Sequence, residues 1–259
     1  MHVHRPTPQS SLPSAAHDRL QHLQSQPELA GERVYCGTVY PLRSATAERA
    51  APLFTYARHV RQTVQGQEAS HLTYDLRGQL IIEERVTLTP RHTLLRMEVA
   101  NRQTGHAGSV RVDADACRLH YTWGTARTTR TARENLAPDT LLVAGPNLHG
   151  TLLHHWDLLK AGLPLQVRML VPARRGSYGF TVRRAAPEPA TSDATIFVAA
   201  PSNLLLRWAV APLRTVFDTQ HRSLLRYEGR VPPRAQAADG SLRDLDGCVH
   251  YTPQLHGYR

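Results

Sequence analysis

The stretch YARHVRQTVQGQEASHLTYDLRGQLIIEERVTLTPRHTLLRMEVANRQTGHAGSVRVDADACRLHYTW, Tyr56 to Trp123, decides the fold. Its apolar residues recur at every second position between turn-forming residues, the pattern of strands that bury one face. Side chains alternate across a strand, so each turn length fixes which residues meet, and a slip of one turns a whole strand over. A three-residue loop Leu76-Arg77-Gly78, with Gly78 left-handed, sets Leu72 opposite Ile82 and Tyr74 opposite Leu80. A four-residue loop at Thr89 to His92 pairs Val86 with Leu95, Glu84 with Met97 and Ile82 with Val99. Turns at Thr104 to Ala107 and Asp113 to Ala116 oppose Val99 to Val112, Val112 to Cys117 and Val110 to Leu119. Closure of Gln65 to Ala69 brings Val60 against Tyr74 and adds Tyr56 to Val64. The expectation is a five-strand antiparallel meander with nearly all its apolar residues on one face.

Outside this stretch, Arg33 to Leu42 reads as a first strand, with Val34, Cys36, Thr38 and Tyr40 on one side. Leu148 to Ala161 reads as the principal helix, capped by Asn147 and stopped by Gly162 and Pro164, with Leu148, Leu152, Trp156 and Leu159 as its apolar stripe. Strands are expected at Leu165 to Val171, Ser177 to Arg184, Thr195 to Ala199 and Ser223 to Val231, with a short one near Gly247 to Thr252. Ser202 to Leu213 fits a buried strand or a helix equally, because periodicity does not separate the two in a short apolar run. Residues 1–32 read as a proline-containing flexible arm with a short helix at Ala15 to Gln24, and 253–259 as a tail. The fold class expected is mainly β with α: one large curved antiparallel sheet or half barrel of about nine or ten strands over 33–252, wrapped on one principal helix at 148–161.

Composition bounds the function. With 41% hydrophobic and 20% charged residues, most of the chain is expected to be globular. There is no run of 18 apolar residues and no charged-then-apolar leader in Met1 to Ser25. The expectation is therefore no transmembrane segment and a cytoplasmic address, or a periplasmic one if a leader has been removed. Cys36, Cys117 and Cys248 are odd in number and widely spaced, which suits a reducing compartment. The net charge of +10 raises the question of nucleic acid. Lys160 is, however, the only lysine, and the arginines are scattered in the manner of a GC-rich genome. The closest basic spacing, Arg127, Arg130 and Arg133, has no interleaved aromatic for base stacking. Nucleic acid is accordingly not the expected partner.

The order of elements, with Trp156 to Gly162 leading into Leu165 to Val171 and a closing strand at Tyr227-Glu228-Gly229-Arg230, resembles the bacterial lipoprotein-carrier type of half barrel and similar uncharacterised periplasmic β-sheet proteins. The resemblance spans Arg33 to Val231 and implies binding of lipid or acyl chains without chemistry. The chain departs from that type in lacking an export signal and a lipobox cysteine near its start.

Glu84 is the residue that stands out chemically. Its register places it among Ile82, Val86 and Met97, where desolvation raises a carboxyl pKa and suits a general acid or base. The bland alternative is that it reaches the sheet rim or pairs with an arginine. His149, His154, His155 and Asp157 gather on the helix, but their spacing does not converge three ligands on a metal, so no metal and no cofactor is expected. There is no G-x-S-x-G, H-E-x-x-H or P-loop. The principal expectation is a non-enzymatic protein that holds an apolar small molecule or lipid between sheet and helix. Ile82, Glu84, Val86, Met97, Val99, Leu119 and Tyr121 form the floor with Leu80, Leu95 and Val110; Trp123 stands at the mouth, and Leu152 and Trp156 form the lid. The alternatives are a hydrolase or isomerase using Glu84 as general base, and an arginine-rich nucleic-acid-binding or scaffold protein. The sequence sets no oligomeric state.

Overall fold

The computed structural model describes residues 33–42, 50–64, 66–186 and 193–252; the expected arm and tail lie outside the described residues. Eight strands come first: β1 (Arg33–Pro41), β2 (Phe54–Thr63), β3 (Gly66–Tyr74), β4 (Leu80–Leu88), β5 (Leu94–Asn101), β6 (His106–Asp113), β7 (Arg118–Gly124) and β8 (Thr129–Asn135). The short β9 (Leu142–Val143) leads into α1 (Gly145–His154) and α2 (Trp156–Lys160). After them come β10 (Leu165–Val171), β11 (Gly176–Ala185), β12 (Ala194–Pro201), α3 (Leu204–Ala209), β13 (Leu213–Asp218), β14 (Leu224–Gln236) and β15 (Leu242–Tyr251).

The strands form one open, curved sheet that runs from β8 down to β1, crosses to β15, and continues down to β9. All neighbours are antiparallel except β9 and β10, which are parallel. The sheet therefore has fifteen strands rather than nine or ten. β8 escapes sequence detection because TRTAREN carries no apolar alternation, as suits a solvent-facing edge. The ambiguous apolar run resolves into α3 followed by β13. β14 continues past Pro232 and Pro233 by a register shift between Val231 and Arg234, so the ladder omits residues that lack an N–H.

Within the meander the turns sit differently from expectation, but most slips are by an even number of residues and preserve the face. Val86 meets Met97 rather than Leu95, Val99 meets Gly108 rather than Val112, and Val110 meets Tyr121. A bulge beside Leu88 turns Leu94 inward and leaves Leu95 partly exposed. Cys117 is not on the apolar face; it takes the left-handed position of the β6–β7 turn at φ 47°. The strand that turns over is β3. Thr63 pairs with Gly66 and Val60 with Ala69, so His71 and Thr73 face inward. Leu72, Tyr74 and Leu80 pack on the other side with Cys36 and Ala57. Gly66 makes this tight turn possible: at φ 140° a Cβ would stand 2.1 Å from the Leu88 carbonyl oxygen. A bulge between Thr73 and Tyr74 then restores the expected pair Tyr74 and Leu80.

The expected single helix is two. Ala144, not Asn147, caps the start, and the Asn147 carboxamide accepts the Ala144 N–H at 2.7 Å from inside the first turn. The axis breaks at His155 (φ −101°, ψ 22°). The predicted stripe is nonetheless buried in full: Leu148 and Leu152 from α1 join Trp156 and Leu159 from α2. It does not cover the meander. Trp156 stands edge-on to Phe197 and Phe217, at 5.2 and 5.6 Å, in a core made with the C-terminal strands. The inner face of the meander forms a second core, with Val86, Met97, Leu119 and Tyr121 packed against Leu142, Ala144 and Leu170.

One polar clamp joins the far ends of the sheet. Glu134 of β8 accepts from Arg168 Nη2 of β10 at 2.8 Å, from the Ser177 amide and hydroxyl of β11 at 2.9 and 2.7 Å, and from the Tyr121 hydroxyl at 2.8 Å. Charge-assisted bonds of this kind are the stronger class. Glu134→Ala leaves the Ser177 amide and hydroxyl without their acceptor and removes the carboxylate partner of Arg168, which keeps its bonds to Ser177 Oγ and the Ser177 carbonyl. The expected outcome is a loss of about 2–3 kcal/mol in urea unfolding, whereas Glu83→Ala on the outer face costs less than about 0.5 kcal/mol.

Candidate functional site

Partners in neighbouring strands share a face, so one cross-strand row reads directly as a strip of side chains. Tyr35, Arg58, His71, Glu84, Val99, Gly108 and Trp123 are consecutive partners across β1 to β7. The phase of β3 that turns Leu72 outward is what puts His71 between Arg58 and Glu84.

The first half of the row is polar and lies under the first turn of α1. Arg58 lies over the Tyr35 ring at 5.4 Å and donates from Nε to the Pro146 carbonyl at 3.2 Å, which fixes the helix start to the sheet. The Tyr56 hydroxyl hydrogen-bonds His71 Nδ1, and Glu84 Oε2 stands 4.0 Å from the same nitrogen. His149 of α1 faces His71 at 6.0 Å between ring centroids, with Tyr227 and Tyr251 edge-on to it at 6.1 and 5.9 Å. Gly145 closes the top. A Cβ there would stand 3.4 Å from Glu84 Oε2 and 3.7 Å from His71 Nδ1, while the residue itself is exposed to solvent.

Burial sets the charges. It pushes the Glu84 carboxyl up to about 7. It holds His71 well below the usual histidine range, helped by the Arg58 charge and by His149, and it lowers His149 in the same way with Arg58 adding to it. The Tyr56 hydroxyl is raised by burial, then by Tyr251 and Glu84, and stays protonated. The Tyr56 hydroxyl and Nδ1 of a neutral His71 share one hydrogen bond, whose direction follows the imidazole tautomer. His71 Nε2, both nitrogens of His149 and Glu84 Oε2 have no hydrogen-bond partner among the described residues. A buried polar atom left unmet costs about 1–3 kcal/mol, so this cluster holds capacity for water or a ligand.

The second half of the row is apolar and partly open. Val99, Gly108 and Trp123 all retain solvent access, and Glu84 is 13% exposed. The Trp123 indole lies across Gly108, where a Cβ would be 2.5 Å away, and stacks on His106 at 5.8 Å. The ten residues expected to line a cavity thus divide. Ile82, Val86, Met97, Leu119, Tyr121, Leu152 and Trp156 are each 2% exposed or less. A void able to take a ligand beside them would leave them open to a water-sized sphere, so the expected greasy hollow is filled by the protein's own core. Leu152 and Trp156 face the other core rather than this floor. Glu84, Val99 and Trp123 remain, side by side.

Sequence reasoning found Glu84 and missed Tyr56, Arg58, His71, His149 and Gly145. The available signal was the alternative phase Gln67, Ala69, His71, Thr73 in β3, which is less apolar than the phase through Leu72 and Tyr74. Among the described residues no three His, Cys, Asp or Glu side chains are grouped so as to hold a metal ion. His154 packs on His92, and Asp157 pairs with Arg222 at 3.3 Å. Comparison of the chain with protein-family models, with curated proteins and with solved structures finds no match.

The raised carboxyl has a signed consequence. Its pKa is higher folded than unfolded, so its contribution is fully present below about 4.5 and lost as pH rises through about 7. Glu84→Gln removes the charged form. Thermal or urea unfolding should show the variant more stable than the parent by about 1–3 kcal/mol at pH 8 and level with it at pH 4.5; equal stability at both pH values would contradict the burial of this carboxyl.

Proposed function

We propose that the chain is a binding protein for an amphipathic, lipid-like small molecule, held along Glu84, Val99 and Trp123 on the inner face of the sheet. The observation that carries this reading is the juxtaposition in one row of a partly open apolar strip, Val99 and Trp123, with the partly exposed Glu84, whose Oε2 is buried without a hydrogen-bond partner among the described residues. An apolar segment lies on the indole and valine, where each buried methylene contributes about 0.8 kcal/mol. The polar end reaches Glu84 and the edge of the His71 cluster, which sets orientation. The resemblance to lipoprotein-carrier half barrels supports the same class of ligand.

A second reading uses the same carboxylate. Its pKa of about 7 beside a neutral His71 suits a general base in a hydrolase or isomerase. The two readings separate on one set of variants. On the binding reading, an environment-sensitive apolar fluorophore bound by the parent is lost by roughly tenfold in Trp123→Ala and Val99→Asp, while Glu84→Gln lowers affinity for head-group-bearing ligands and leaves the fluorophore bound. On the enzyme reading, turnover of an ester or keto substrate panel is present in the parent and abolished in Glu84→Gln. Failure of the parent to bind any apolar fluorophore overturns the first reading.

A further inference from the structure

At the end of the sheet where β10 turns into β11, α3 carries two large apolar side chains into solvent. Trp208 is 93% and Leu204 69% exposed. They are four residues apart and so lie on one side of the helix. Arg207 anchors the helix by donating from Nε to the Pro201 carbonyl at 2.8 Å. The Ser202 amide donates to the Gly179 carbonyl at 2.9 Å, which ties the start of the helix to β11.

Cations predominate in the segments that flank this helix, and two of them are paired, Arg168 with Glu134 at 2.8 Å and Arg214 with Glu228 at 3.5 Å. From Leu158 to Ala186 the chain contains Lys160, Arg168, Arg174, Arg175, Arg183 and Arg184 and no carboxylate; from Ala194 to Phe217 it contains Arg207 and Arg214 and again none. Arg174 and Arg175 sit in the turn that follows β10, with Arg174 exposed, at the same end of the strands as Gly179 and Ser202. An open cavity of about 530 Å³, lined by Arg168, Ser177, Tyr178, Gly179, Ser202 and Asn203, lies beside the start of the helix. The acid that reaches Arg168, Glu134, is also bonded to Ser177 and Tyr121.

We propose that this end of the sheet docks on the surface of an anionic lipid bilayer. Trp208 and Leu204 enter the boundary between headgroups and acyl chains, where an indole is favoured. Arg174, Arg175 and Arg207 meet the lipid phosphates, and the cavity beside α3 takes a headgroup. Among the described residues of this helix the exposed apolar surface is that of Leu204 and Trp208, which suffices for a surface anchor that arginines reinforce. The net charge of +10 draws the whole molecule toward such a surface. The proposal stands on residues apart from the Glu84 row and goes beyond the binding reading.

The test is co-sedimentation of the full chain with two kinds of vesicle, phosphatidylcholine alone and phosphatidylcholine with phosphatidylserine, with tryptophan emission recorded on the same samples. The expected result is binding to the anionic vesicles, a blue shift of the emission, and release on raising salt. Leu204→Ser with Trp208→Ser, both at exposed positions, should abolish the blue shift and most of the binding without lowering the unfolding temperature. Arg174→Gln and Arg175→Gln together should weaken binding by about 25-fold, roughly fivefold per arginine. The proposal is overturned by equal binding to both vesicle types, by no binding to either, by unchanged binding of the Leu204 and Trp208 variant, or by complete competition from millimolar inorganic phosphate, which would mark a site for a free anion.

Discussion

The pairing on which the rest of the structure depends is between the first strand and the last. Gly37 to Pro41 of β1 align with Gly247 to Tyr251 of β15, residues more than two hundred positions apart. Without that ladder the molecule is two meanders, each with an unpaired inner edge, and such edges invite pairing with other chains. With it, they are one sheet whose most central strands come from the two ends of the chain. The contact is close as well as distant: a Cβ on Gly37 would stand 2.8 Å from Val249 Cγ1. Loop-closure entropy must be met before so remote a pair gains anything. The central ladder thus benefits from hairpins formed locally in each half, and both apolar cores then draw on the two halves together: Val39 and Tyr56 join the C-terminal strands in one, and Leu142, Ala144 and Leu170 join the meander in the other.

Between those cores lies a layer that a stability argument alone would not put there. Tyr56, Arg58, His71 and His149 are buried, and Glu84 nearly so, in a region where apolar side chains of similar size would stabilise the fold better. The layer also spans elements from across the sheet order: β2, β3 and β4 on one side, β14 and β15 on the other, with α1 above. Its members hold one another in place. The Arg58 bond to the Pro146 carbonyl positions the first turn of α1, and that turn carries Gly145 over Glu84 and His149 over His71. Removing the arginine would therefore disturb the cover of the carboxylate as well as an ion's own solvation.

How much of this was legible in the sequence follows from how each element is specified. The sheet, its antiparallel sense and most of its inward faces were readable because an even slip in a turn leaves the buried set unchanged: Val86, Met97, Val110, Leu119 and Tyr121 all lie inward although three turns sit elsewhere than expected. The helix stripe was readable because Leu148, Leu152, Trp156 and Leu159 keep one face even across the break at His155. The phase of β3 was not readable, because its more apolar face, Leu72 and Tyr74, packs on the convex side against Cys36 and Ala57, and only the Gly66 turn and the bulge at Thr73 decide the matter. β8 and the pairing of β1 with β15 had no local signal at all. The Glu84 carboxylate was found from its own strand, and its partners were missed with the one strand that was turned over.

That single inversion changes what kind of site the inner face can be. With Leu72 and Tyr74 inward, Glu84 would be a lone acid in a greasy floor, and the whole meander would be available to a ligand. With His71 and Thr73 inward, the floor is divided into a packed apolar core, a polar layer under α1, and a short open strip at Val99 and Trp123. The open part is small, so on the proposed binding reading a ligand would be gripped along one side only, with most of its length projecting toward solvent or toward whatever covers the sheet. Affinity from apolar burial is limited accordingly, and orientation by the Glu84 end carries more of the discrimination than area does. On the proposed binding reading, a carboxyl whose ionisation lies near neutrality would be a sensitive anchor: it would accept from a neutral hydrogen-bond donor in either protonation state, and bind a cationic headgroup only once it had lost its proton.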